Sequence, residues 1–144
     1  MALDLDLAAA RRVIDAAGGA ALGMGIHVSI AVVDDGGNLK AFARMDGAEL
    51  AGIDLARDKA YTAVANSIAT HDLAALAQPG GDLFGIQANA GGRYVIFGGG
   101  IPLYLDDRIV GAVGVSGGTS NQDVECAGAG VAAWLERVRD TRSE

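Results

Sequence analysis

The chain has 144 residues, the length of one domain (1–144), and can bury a core without disulfide or metal staples. Hydrophobic residues make up 51% but aromatics only 5%, so the interior is built from Ala, Val, Ile and Leu, and 22 glycines with no repeat and only two prolines argue against collagen and disorder. A net charge of −7 without a concentrated basic face argues against duplex nucleic acid and anionic membrane as partners, and the single cysteine, Cys126, excludes an internal disulfide and a multi-cysteine metal site.

Leu3, Leu7, Ala10, Ile14, Ala17, Ala21 and Met24 recur at steps of four and three, which predicts a helix over 4–24 with Asp4 or Asp6 as N-cap and Gly23 or Gly25 at its end. The period then drops to two. Ile26, Val28, Ile30 and Val32 face one way and His27, Ser29, Ala31 and Val33 the other. Asp34-Asp35-Gly36-Gly37-Asn38 is a turn cluster and 39–45 a second strand, so 26–45 reads as a β-hairpin.

Helical spacing returns over 51–69, with Ile53, Ala56, Ala60, Ala63 and Val64 as the buried stripe. Thr70 is expected to cap a short helix at 71–77, which Gln78-Pro79-Gly80-Gly81 breaks. Residues 80–93 are glycine-rich and aperiodic, a loop over the sheet or across an interface. Tyr94–Phe97, Ile101–Leu105 and Arg108–Ser116 read as three further strands, the last two joined by a turn at Asp106-Asp107. A closing helix starts near Asn121, carries Ala127, Val131, Trp134 and Val138 on one face, and is expected to fray from Arg139. The succession of five strands in hairpin groups, without a crossover helix between successive strands, predicts an α/β fold of the α+β kind: an antiparallel sheet covered by helices.

The only histidines, His27 and His71, have no second histidine or cysteine at ligand spacing, so no zinc site is expected. No P-loop, dinucleotide fingerprint or Gly-x-Ser-x-Gly elbow occurs. Cys126, in a small-residue helix, reads as a buried filler. The start of the chain shows no basic-plus-apolar leader and no run approaches membrane-spanning length, which together suggest a cytoplasmic protein. High apolar content with a mean hydropathy of +0.29 suggests that part of the apolar surface is hidden between subunits.

Four segments in register resemble the small GlcG/HbpS-like proteins, also called DUF336. They are Val33-Asp34-Asp35-Gly36-Gly37-Asn38-Leu39 leading into Phe42-Ala43-Arg44-Met45-Asp46-Gly47-Ala48; Ile53-Asp54-Leu55-Ala56 with Lys59-Ala60-Tyr61-Thr62-Ala63; Gly99-Gly100-Ile101-Pro102-Leu103; and Ile109-Val110-Gly111-Ala112-Val113-Gly114-Val115-Ser116-Gly117-Gly118, followed by Gln122-Asp123. The resemblance covers residues 5 to 135. It implies a profilin-like layered fold, a five-stranded antiparallel sheet with helices on both sides, in homo-oligomers. It leaves the chemistry open, because the family is functionally mixed and fold does not transfer activity.

Lys59 is the first candidate for chemistry. It lies at the edge of the buried helical stripe among small residues, where loss of solvent favours the neutral, nucleophilic amine; the alternative is a snorkelling lysine paired with a surface acid such as Asp58. Arg44 could grip a carboxylate or haem propionate through its fork of donors, or pair with Asp46 or Asp34. Asp54 reads as a first-turn acid favoured by the helix dipole. Gly98–Gly100 and Ser116–Thr119 offer backbone N–H groups that could cradle an anion, or simply pack a tight hairpin and cap the last helix with Gln122 and Asp123.

The leading expectation is a homo-oligomeric protein that binds an organic acid or a cofactor. Lys59, Arg44 and Asp34 would hold the ligand, and the Gly99, Gly100, Pro102, Ser116 and Gly117 backbones would shape the floor. One alternative is an isomerase, cyclase or lyase on the same scaffold, with Lys59 as base or iminium-forming amine. The other, implied by the resemblance, is a non-covalent haem-binding or haem-sensing protein, since no Cys-x-x-Cys-His attachment motif is present.

Overall fold

The computed structural model describes residues 3–143. The first helix, α1 (Leu7–Gly23), starts where the Asp6 carboxylate accepts the Ala9 N–H at 2.8 Å. It stops at Gly25, whose φ of +71° lets the Ile26 N–H reach back to the Ala21 carbonyl at 3.1 Å. The hairpin follows as β1 (Ser29–Asp34) and β2 (Leu39–Arg44). One Asp34 oxygen closes its turn by accepting the Gly36 and Asn38 N–H groups, both at 2.9 Å.

The long middle helix, α2 (Ala51–Asn66), ends three residues before the predicted boundary, at Ser67 in the left-handed region. The short helix α3 (Thr70–Leu76) takes Thr70 as its first residue rather than as a cap. Its hydroxyl instead accepts the Gly100 N–H at 3.0 Å. β3 (Gly100–Leu105) and β4 (Arg108–Ser116) form the second hairpin, and α4 (Ser120–Ser143) closes the chain. α4 runs on past Arg139, where fraying was expected. Arg142 there pairs with Asp106 at 2.9 Å.

The sheet has four strands in the order β2-β1-β4-β3, with every neighbouring pair antiparallel. The class is as expected, but the predicted fifth strand at Tyr94–Phe97 does not form. Its apolar run packs against α2 instead of pairing with a strand. The Val95 N–H donates to the Thr62 hydroxyl of α2 at 2.9 Å, and the Tyr94 ring stacks on Tyr61 with centroids 6.1 Å apart. A side chain thus takes the donor that a ladder would have used.

The two faces of the sheet differ in grain. On one, Val28, Ile30, Val32, Val113 and Val115 pack against α1 and α4, with Trp134 wholly buried and its indole N–H donating to the Tyr104 carbonyl at 2.6 Å. On the other, Val33 and Ala112 meet Ala60 and Ala63 of α2. Gly100 and Gly114 stand opposite each other in the β3–β4 ladder on this second face. A Cβ on Gly114 would run into the Ala56 carbonyl, and one on Gly100 into the Lys59 carbonyl. The absence of both side chains therefore lets the α2 backbone lie directly on the sheet. Among the described residues no helix is long and apolar enough to cross a membrane.

Candidate functional site

The stripe of α2 that settles into this glycine groove is Ala56, Lys59, Ala60 and Ala63, all fully buried. Three are alanines, so the one long side chain must run along the sheet surface until it finds polar partners. It finds them where β3 begins. The Val115 N–H bonds to the Gly99 carbonyl at 2.9 Å, so the Val115 carbonyl points the same way. Gly99, at φ +133°, has already turned out of the ladder. The Lys59 ammonium takes the vacated position and donates to the Val115 carbonyl at 2.9 Å.

A second donation goes to Asp123 Oδ2 at 3.0 Å. Asp123 lies in the first turn of α4, and its other oxygen accepts the Gly118 N–H at 2.9 Å. The side chains are 1% and 4% exposed. Burial pulls the Lys59 ammonium below its ordinary range, against the opposing pull of the Asp123 carboxylate. Burial also pushes Asp123 upward, opposed by Lys59 and by the Gly118 and Gly117 N–H groups. The two proton affinities move toward each other because burial disfavours both charged forms.

One side of the ammonium is covered differently. The Phe97 ring stands over Nζ, 5.0 Å from it to the centroid, and is itself 41% exposed. Phe97 leads into Gly98-Gly99-Gly100. A Cβ on Gly99 would lie 2.9 Å from both Cδ and Nζ of Lys59, so only glycine leaves room for the amine here. Further along β4, Ser116 pairs with Ser29 of β1, whose buried hydroxyl has no hydrogen-bond partner among the described residues.

The structure therefore brings together Lys59, Gly99, Gly100, Ser116 and Gly117, with Pro102 continuing the Gly100 face along β3. It does not bring in the other two expected ligand groups. Arg44 uses Nε and Nη2 on the Ala48 carbonyl, at 3.2 and 2.9 Å, and shapes the loop before α2. Asp34 is tied into its turn at the opposite end of β1 from Ser29, facing a groove of about 380 Å³ shared with Asp4, Lys40 and Arg108. Another groove, about 440 Å³, runs between α1 and β2, away from α2.

The expected anion cradle at the start of α4 is already filled. Asp123 holds the Gly118 N–H, and the Thr119 N–H and the Gln122 N–H are taken by each other's side chains at 2.9 and 3.2 Å. The capping role expected of Gln122 and Asp123 is thus present. What the sequence reading missed is that Asp123 is also the counter-ion of Lys59. The signal was the lysine itself, because a buried ammonium requires a buried acceptor of opposite charge. Phe97 was missed because it was assigned to a strand.

His27 is exposed beside Gly47. His71 is 41% exposed, 3.7 Å from the Asp72 carboxylate, with its Cβ 3.4 Å from where a Gly98 Cβ would stand. Among the described residues no group of three or more His, Cys, Asp or Glu stands close enough to hold a metal.

Residues 5–132 match the protein family described as haem-degrading protein HbpS-like. An uncharacterized 15.0 kDa protein from the dhaT-dhaS intergenic region of Citrobacter freundii is 44% identical over 119 residues, 83% of this chain and 84% of that one. Among solved structures, Klebsiella pneumoniae protein ORFY superimposes with a TM-score of 0.89 at 35% identity, covering 94% of each chain. PduOC in its haem complex superimposes with a TM-score of 0.87 at 36% identity, covering 91% of this chain and 95% of that one.

Proposed function

The chain belongs to the HbpS-like family, and on that premise we propose that it is a small-molecule-binding protein, working as an assembly of identical chains, whose ligand reaches the Lys59 ammonium. The observation that carries this reading is the mismatch in how Lys59 is enclosed. Two sides are locked by the Val115 carbonyl and Asp123, while the third is closed by a 41% exposed aromatic ring that a ligand can displace. The unpartnered Ser29 hydroxyl, on the same face of the sheet, is a second polar group able to bond a ligand.

Assembly is supported by large apolar side chains left in water. Leu22 is 72% exposed, Leu50 75% and Phe84 55%. Native mass spectrometry of the purified protein tests both halves, since it reports subunit number and any retained small molecule. The expected result is an oligomer carrying a ligand that the Lys59→Met/Asp123→Leu double variant loses. An apo monomer, or a ligand retained equally by the double variant, overturns the reading.

Haem is a second reading, favoured by the likeness to PduOC solved with haem. The residues present fit it. His71 offers an accessible imidazole one residue from the flank of Phe97, and the absence of an attachment motif makes the hold non-covalent. Haem bound there would supply a redox-active iron. Titration should give a Soret band that shifts in His71→Ala and not in His27→Ala; a band indifferent to His71 removes that ligand.

A further inference from the structure

We propose that the group a ligand presents to Lys59 is an uncharged oxygen, the carbonyl or hydroxyl of a neutral compound, and that Asp123 is the residue that sets this selectivity. The inference rests on the reading of Lys59 as the binding site and narrows its ligand class.

The first ground is charge. Lys59 and Asp123 are 3.0 Å apart and together carry no net charge, in a space where neither side chain is more than 4% exposed. A carboxylate brought to Lys59 would leave that space with one uncompensated negative charge, which low-dielectric surroundings oppose strongly. The paired arginines cannot offset it from their present positions. Arg93 is engaged with Asp58, Arg137 with Asp6 and Arg142 with Asp106.

Hydrogen bonding is the second ground. An ammonium has three N–H donors and no acceptor. The Val115 carbonyl and Asp123 Oδ2 take two. The third meets only the π-face of Phe97, a weak acceptor. A neutral oxygen replacing the ring completes the ammonium's bonding and adds no charge. Asp123 cannot swing away to make room for an anion without giving up the Gly118 N–H that fixes its other oxygen.

The selectivity is tested with probe pairs that share a shape and differ in charge: benzamide and benzoate, isobutyramide and isobutyrate, acetamide and acetate. Dissociation constants are measured by ligand-detected NMR on the native protein, on Asp123→Asn and on Lys59→Met/Asp123→Leu. The amides are expected to bind the native protein about tenfold more tightly than the carboxylates, a difference of about 1.4 kcal/mol. Asp123→Asn, which leaves the ammonium without its counter-charge, should reverse that order. Should Asp123→Asn not fold, the native amide-to-carboxylate ratio decides alone. Carboxylates binding the native protein as tightly as amides, or an order unchanged in folded Asp123→Asn, overturns the proposal and leaves the Lys59 site standing. Equal binding of every probe by the native protein and the double variant overturns the site, and the proposal with it.

Discussion

Lys59 and Asp123 are 64 positions apart in the chain and 3.0 Å apart in the fold, and their contact is the only ion pair among the described residues with both side chains almost wholly out of water. It joins α2 to the start of α4 across the end of β4. Both partners are also bonded to backbone, Lys59 to the Val115 carbonyl and Asp123 to the Gly118 N–H, so the charges are held in one geometry.

A pair this deeply buried is expensive to break and nearly neutral to replace. Removing either partner alone, as Lys59→Met or Asp123→Asn, should cost about 3–5 kcal/mol in urea unfolding, because the remaining polar group stays buried without its partner. The double variant Lys59→Met/Asp123→Leu should return to within about 1 kcal/mol of the native protein. Additive losses in the double variant would show that the two residues do not act as a pair.

The pair also leaves a signature in pH. Asp123 is raised from 3.8, so between 3.8 and its native value the folded protein holds a proton the unfolded chain has released, and stability falls as pH climbs. Lys59 is lowered from 10.5, so between its native value and 10.5 the unfolded chain holds the extra proton and stability rises with pH. Subtracting the double variant's unfolding free energy from that of the native protein should therefore give a trough between these two flanks. A flat difference would mean that neither proton affinity is altered by folding.

Gly114→Ala and Gly99→Ala should fail in different ways. The Gly114 Cβ would meet the Ala56 carbonyl and lift α2 off the sheet, with a loss of about 1–3 kcal/mol typical of overpacking. At Gly99 the new methyl would stand 2.9 Å from the Lys59 amine at a φ of +133°, so ligand retention should fall along with stability. Thermal melts paired with native mass spectrometry separate the two. Full ligand occupancy in folded Gly99→Ala would place the site elsewhere.

Thr70→Val keeps the shape of the side chain but removes the acceptor for the Gly100 N–H. A buried donor left unpaired should cost about 1–3 kcal/mol, with the hydrogen-exchange protection of that amide lost first. Unchanged protection would show that the bond is not needed to hold the start of β3.

Cys126 should be inert in the folded protein. Burial, reinforced by the Asp123 and Glu125 carboxylates, pushes its thiol up to about 11. At pH 8 roughly one molecule in a thousand then carries the reactive thiolate. Ellman's reagent should react only after denaturant is added. Rapid reaction of the native protein would mean that α4 opens locally.

Much of this was readable in the chain because it depends on neighbours. The β1–β2 hairpin follows from period-two alternation and the Asp34–Asn38 turn, and α2 and α4 from their stripes. Lys59 was conspicuous as the lysine at the edge of an alanine stripe. Segment 94–97 is a short apolar run that reads as a strand, yet its composition cannot say whether Val95 will bond a strand or the Thr62 hydroxyl. Thr70 has the composition of a cap, yet its hydroxyl was taken by Gly100, 30 positions later.

The sequence by itself determined the antiparallel α+β class and the identity of the central lysine, because periodicity, turn chemistry and glycine placement act over a few residues, while the resemblance of four segments carried the family. Only the tertiary structure decided that Asp123 neutralises that lysine, that Phe97 covers it, and that Arg44 and Asp34 are spent elsewhere. Those outcomes depend on which distant groups arrive at the start of β3 and on the need of a charge removed from water to find its partner there.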